Sequence, residues 1–176
     1  MKKLVLLMIL LAACAFAHKP VIVGDDTRTW VPEPETSHAY YGELDGEPHK
    51  YIINATAPFT LYVNILVPDY SPQTQVEEQP EVNFIVDEYQ GMDKIRTYGA
   101  DTPTWDRYYE KHGKDHYLRG PELEYNVSSG VYIITVSSPT NQEKYTLAIG
   151  KEEDFSLMDY VTAWFKAKYL DWWFFS

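Results

Sequence analysis

Histidine is the residue type here best suited to hold a metal, and the five histidines of this 176-residue sequence suggest two arrangements. His112 and His116 are four apart, a helical ligand spacing, with Glu110 and Asp115 close by. Gly113 lies between them and no His-Glu-x-x-His pattern surrounds them, so a pair of solvated loop histidines is the simpler account. His18 follows Ala15-Phe16-Ala17, a small-x-small cleavage signal. Cleavage there would free an α-amine beside the His18 imidazole. Those two nitrogens and one further histidine would chelate copper as a histidine brace does.

Catalysis has less to draw on. The sequence holds no Gly-x-Ser-x-Gly elbow and no glycine-rich phosphate loop, and its one cysteine, Cys14, sits in the N-terminal segment. Carboxylates number 26, enough that pairs with glycosidase-like spacing arise by chance. Asp25-Asp26 and Asp101 with Asp106 suit calcium by type, but neither matches an EF-hand spacing, and both suit solvated loops. The expectation is a protein that is not an enzyme.

Binding has more support. Trp105, Tyr108, Tyr109 and Tyr117 gather flat amphipathic rings beside Arg107, Lys111, Lys114 and Asp115. Rings supply contact area and charges orient a ligand, which suits sugar rings or a protein partner. Trp105 and Tyr109 are the foremost candidates for contact. The competing account is that the rings seal one end of the fold.

The elements that must position these groups are mostly strands. Val131–Val136 is apolar on both faces, as a central strand covered on both sides would be, and Lys144–Ile149 alternates more weakly. The turn-rich Ser137–Glu143 joins them as a hairpin. Asp45-Gly46 is a two-residue hairpin signal between His38–Leu44 and Glu47–Asn54. Phe59, Leu61, Val63, Ile65 and Val67 alternate with Thr60, Tyr62, Asn64 and Leu66, the cleanest half-buried strand. Val82–Val86 is a further short strand, and Val21–Val23 suits an edge. Met92–Arg119 shows no periodicity and is expected to be a long irregular insertion folded over the sheets. One core is expected to join Phe59, Leu61, Val63, Ile133, Leu147 and Ile149.

The ends differ from the middle. Ser156 to Asp159 forms a capping box that opens an amphipathic helix over Leu157–Phe174. Its apolar face would be Met158, Val161, Phe165, Tyr169 and Trp172. Asp159, Lys166, Lys168 and Asp171 argue against a membrane span. Two placements follow: packed on the domain, or lying on a membrane surface. At the other end, Lys2, Lys3 and the apolar Leu4–Leu11 make residues 1–17 a signal peptide. Leu11-Ala12-Ala13-Cys14 also matches a lipobox, in which Cys14 is lipidated. Lipidation and the copper brace exclude each other, because the former leaves His18 inside the chain. Both imply export, to the cell surface or the periplasm.

The domain layout is thus a leader, a sandwich over 18–152 and a helical tail over 153–176. Loss of the leader lysines takes the formal charge from −11 to −13, which excludes nucleic acid as an electrostatic partner. About 160 mature residues suffice for one core, and 15 Tyr, 7 Phe and 5 Trp supply it without disulfides.

Gly130-Val-Tyr-Ile-Ile-Thr-Val136, followed by Glu143-Lys-Tyr-Thr-Leu-Ala-Ile-Gly150, resembles the closing strands of bacterial pre-peptidase C-terminal-like domains. Most of the mature chain is similar to uncharacterised exported envelope proteins of bacteria and archaea. These begin with His-Lys-Pro, as His18-Lys19-Pro20 does, and carry a Trp/Tyr-rich loop like Trp105–Gly120 and an acidic-aromatic tail like Glu152–Phe155. The resemblance implies an antiparallel, jelly-roll-like β-sandwich on an exported protein, and no activity. The expectation is therefore a mainly β, non-catalytic envelope module. It would bind a glycan or protein partner through its aromatic loop and associate with the membrane surface. Copper at His18 is the alternative, and no other cofactor is expected.

Overall fold

Alternating apolar residues build the central strands, and the computed structural model, which describes residues 18–24, 27–73, 79–99, 104–111 and 113–175, has eleven strands among them. Cys14 and the rest of the leader, Asp25, Asp26, Asp101 and His112 lie outside the described residues, as does the side chain of Val161. In chain order the strands are β1 (Lys19–Ile22), β2 (Arg28–Trp30), β3 (His38–Glu43), β4 (His49–Ala55), β5 (Phe59–Pro68) and β6 (Asn83–Gln90). Then come β7 (Asp93–Gly99), β8 (Asp106–Glu110), β9 (Asp115–Val127), β10 (Gly130–Ser137), β11 (Lys144–Ile149) and one helix, α1 (Leu157–Trp173).

Two sheets form a sandwich. One has six strands in the order β1-β3-β11-β5-β9-β8, the other five in the order β2-β4-β10-β6-β7. Most neighbours are antiparallel, but β1 runs parallel to β3 and β2 parallel to β4, so each sheet is mixed at one edge. Tyr40, Leu61, Val63, Ile65, Tyr145, Leu147 and Ile149 of the larger sheet meet Tyr51, Ile53, Phe84, Val86, Tyr132, Ile134 and Val136 of the smaller.

Two expected hairpins are crossovers instead. β10 pairs with β4 and β6, while β11 pairs with β3 and β5 in the opposite sheet. A hairpin would set their apolar rows side by side, both needing a cover. Placed centrally in facing sheets, Tyr132, Ile134 and Val136 bury against Tyr145, Leu147 and Ile149. The Asp45-Gly46 turn likewise sends the chain from β3 in one sheet to β4 in the other. Both links run together at one end, where the Leu44 amide bonds the Glu143 carbonyl at 3.0 Å and the Gly46 amide that of Asn141 at 2.7 Å.

The doubly covered strand is also not the expected one. Ile133 faces outward on β10 and is only half buried, and Ile134 takes the core position. On β11 both faces are buried, because α1 lies over the outer side of the six-stranded sheet. Nor is 92–119 irregular: it supplies β7, β8 and the start of β9. These edge strands expose most of their residues, so no apolar period marks them in the sequence.

A polar string crosses the core. His49 Nδ1 lies 2.8 Å from the Tyr145 hydroxyl, which is 2.8 Å from that of Tyr51. Burial pushes the His49 pKa below its ordinary 6.5, against the opposite pull of Asp45. Below pH 6.5 the unfolded chain takes up a proton that the folded chain refuses, so stability is lost as pH falls from 6.5 toward the folded value. Urea midpoints should fall between pH 7 and pH 5. His49→Gln, which keeps a partner for Tyr145 without titrating, should flatten that slope.

Candidate functional site

Residues that point inward on β5 and β11 leave their neighbours pointing out. Tyr62, Asn64 and Leu66 occupy the outer face of β5, and Thr146 and Ala148 that of β11. Strand register then sets Tyr41, Thr146, Leu66 and Arg119 in one row, and Ala39, Ala148, Asn64 and Glu122 in the next. β8 adds Tyr108 opposite Tyr117. Together with His18 and Glu110 these residues enclose a cleft of about 150 Å³ on the outer face of the six-stranded sheet.

Local sequence explains its shape. Pro121 lacks a ladder donor, and the β5–β9 register shifts beside it, between Asn64 and Leu66. The Asn64 amide bridges the irregularity, donating to the Gly120 and Pro121 carbonyls at 3.1 and 3.0 Å. The C-terminal end of α1 flanks the cleft: the Phe174 ring meets Tyr41 edge-on at 5.1 Å, and Phe175 meets Tyr117 at 5.5 Å.

The Tyr41, Tyr62 and Tyr117 phenols stay protonated. Burial pushes Tyr41 up to about 12, and it pushes Tyr62 and Tyr117 upward as well. Tyr62 donates to the Glu122 carboxylate at 3.2 Å, and the Lys151 ammonium stands 4.2 Å over its ring. The Arg119 guanidinium lies 5.4 Å over the Tyr108 ring. His18 is held by the Ser37 hydroxyl, and burial lowers its pKa in spite of Glu110 and Glu153. On the floor, Thr146 is 4% exposed, and its hydroxyl has no hydrogen-bond partner among the described residues. Neutral donors, one cation, two carboxylates and an orphaned hydroxyl around a small apolar floor suit recognition of a polar ring.

The four aromatic candidates divide between two faces. Tyr108 and Tyr117 line the cleft. Tyr109 alternates to the other side of β8 and lies 4.8 Å from the His116 ring. Trp105 is 9% exposed and belongs to the core, its ring lying where a Cβ on Gly120 would stand. The histidines turn to separate partners: His18 to Ser37, His116 to Tyr109, and His38, which stands near His18 across the β1–β3 pair, donates from Nδ1 to the Thr36 carbonyl at 2.9 Å. Among the described residues no three His, Cys, Asp or Glu side chains gather as a metal-holding group.

Tyr41, Tyr62, Arg119 and Glu122 were not among the residues singled out. The alternation of β5 marks Tyr62 and Asn64 as one outer face, but only the pairing of β3, β11, β5 and β9 shows that their outer faces adjoin.

No protein-family model and no curated protein matches the chain. Among solved structures it is similar to the pre-peptidase C-terminal domain of a collagenase from Bacillus anthracis, with a TM-score of 0.42 and 10% identity. The match covers 72% of this chain and 97% of that one.

Proposed function

We propose that this protein is an exported, non-catalytic cell-envelope module that binds one sugar unit of an envelope glycan in the cleft beside α1. The observation that carries the reading is the buried, unpartnered Thr146 hydroxyl on the floor of a cleft ringed by four tyrosines. A buried hydroxyl without a partner costs about 1–3 kcal/mol, and a ligand hydroxyl entering the cleft would relieve it. The volume of about 150 Å³ is below the roughly 300–1,000 Å³ of drug-sized sites, so it suits one ring of a longer molecule. Tyrosine faces stack on sugar rings, while Glu110, Glu122 and Arg119 offer directed partners for hydroxyls. A protein partner would engage a wider and flatter surface.

Titration with soluble amino-sugar and hexose oligosaccharides, beside pull-down on immobilised envelope glycan, tests this. Tyr108→Ala and Arg119→Ala should each weaken binding about tenfold or more with the melting temperature unchanged. Thr146→Val should weaken binding yet keep or raise stability, since it removes the orphaned hydroxyl at constant shape. Unchanged affinity in all three variants, or an equal loss from Tyr109→Ala on the other face, overturns the reading.

A further inference from the structure

The helix shows solvent the face that its sequence marks as apolar. α1 buries Ala163 and Leu170, and its C-cap Phe174, spaced seven and four apart, and Leu170 and Phe174 pack with Leu66, Tyr117 and Ala148 of the six-stranded sheet. Met158, Phe165, Tyr169 and Trp172, spaced seven, four and three, run along the opposite side. They are 70%, 63%, 44% and 71% exposed, and Trp164 at their flank is also exposed. Rings within the stripe meet each other, Trp164 with Phe165 at 4.9 Å and Tyr169 with Trp172 at 6.0 Å. Scattered exposed hydrophobics need no account, but an aligned stripe of large ones does.

We propose that this face of α1 docks on a lipid surface, with the rings at headgroup depth and the sandwich held against the membrane. Three observations favour lipid over a second copy or another protein. The first is area: rings of 150–250 Å² each, about half exposed, offer roughly 500 Å², short of the roughly 800 Å² per partner of a stable complex. An interfacial helix needs no more than one such face.

The second is shape and composition. The stripe rises about 21 Å from Met158 to Trp172 along one side of the helix, and it is rich in Trp, Phe and Tyr, the residues of the membrane interface. No helix among the described residues is long and apolar enough to cross a membrane, so α1 would lie along the surface.

The third is the tie between β1 and α1. The Lys19 ammonium pairs with Asp159 at 3.3 Å, and Lys166 donates to the Pro20 carbonyl at 2.8 Å. β1 is thereby strapped to the first half of α1. Cys14 stands four residues before His18, at most about 14 Å of extended chain. An acyl group on Cys14 would thus be joined to the strand that holds α1 by only that length of chain. One acyl chain attaches marginally, and two signals on one side of the molecule attach stably. The acidic charge of the chain opposes attraction to anionic lipid, so contact would be apolar, insensitive to salt on neutral lipid and weakened at low salt by anionic lipid.

The test uses the exported Cys14→Ser chain, shown by mass to carry neither lipid nor leader, with vesicles of phosphatidylcholine alone and with added phosphatidylglycerol. Flotation should show binding to both at low and high salt, and brominated acyl chains should quench tryptophan emission. Phe165→Ser with Trp172→Ser, both exposed and so neutral for folding, should reduce partitioning at least ~tenfold. In cells, the same pair should release the Cys14→Ser chain into the soluble fraction. The proposal is overturned by absence of vesicle binding, by binding that the double substitution leaves unchanged, or by quenching that leaves emission untouched. A concentration-dependent dimer, abolished by that substitution, would equally overturn it in favour of a second copy. Tyr108→Ala leaves vesicle binding unchanged, which keeps this result separate from that of the cleft.

Discussion

Leu61→Ala is expected to lower the unfolding free energy by about 2–5 kcal/mol, and Ile133→Ala by less than about half of that. Leu61 is fully buried on β5, at the meeting of the two sheets, where a cavity has no solvent to fill it and little freedom to collapse. Ile133 belongs to the outer row of β10 and keeps part of its surface in water, so truncation removes less buried area. Urea unfolding of the two variants checks the contrast. Equal losses would mean that the outer side of β10 is covered as closely as its inner side. No change at Leu61 would reject the strand assignment itself.

Gly150→Ala should be at least as damaging, at about 3 kcal/mol or more, or should prevent the chain from accumulating. Gly150 ends β11 at φ +77, a left-handed conformation that costs an L-residue about 1–2 kcal/mol. A Cβ there would also run into the carbonyls of Thr36 and Glu35. Those carbonyls cannot yield cheaply. The Glu35 carbonyl accepts from Lys151 and Glu152 at 2.9 and 2.8 Å, and the Ser37 amide bonds back to Glu152 at 2.9 Å. This knot ties the segment leading into β3 to the one that leads from β11 toward α1. Gly24→Ala is the control, since a Cβ on Gly24 meets nothing within 4 Å. If the two variants melt together, the backbone at Gly150 is not held as described.

Local patterns were legible wherever one residue's neighbours along the chain decide its state. The period-two alternation of Phe59–Val67 marks β5, and its inward row is the core row. The Ser156–Asp159 box caps α1 as its residues imply: the Asp159 amide donates to the Ser156 hydroxyl and the Ser156 amide to the Asp159 carboxylate. Trp105 shows the limit of such reading. An indole beside charged residues looks like a ligand contact, and only Gly120, fifteen positions later and lacking a side chain, admits it to the core.

The sequence alone determined that the chain is mainly β with one C-terminal helix, because pleat and helix periods are carried by residues two, three and four apart. Which strands adjoin was decided by tertiary structure, since a period of two shows which residues of a strand turn inward but not which other row they meet. The outer face of the six-stranded sheet became a cleft only when β3, β11, β5, β9 and β8 brought their outward residues together. The same physics turned the helix over. Ala163, Leu170 and Phe174 make a narrower apolar stripe than Met158, Phe165, Tyr169 and Trp172, yet Leu170 and Phe174 are the ones that find partners in Leu66, Tyr117 and Ala148, and the Phe174 ring seats against Tyr41. Shape complementarity chose the buried face, and the larger rings were left outside.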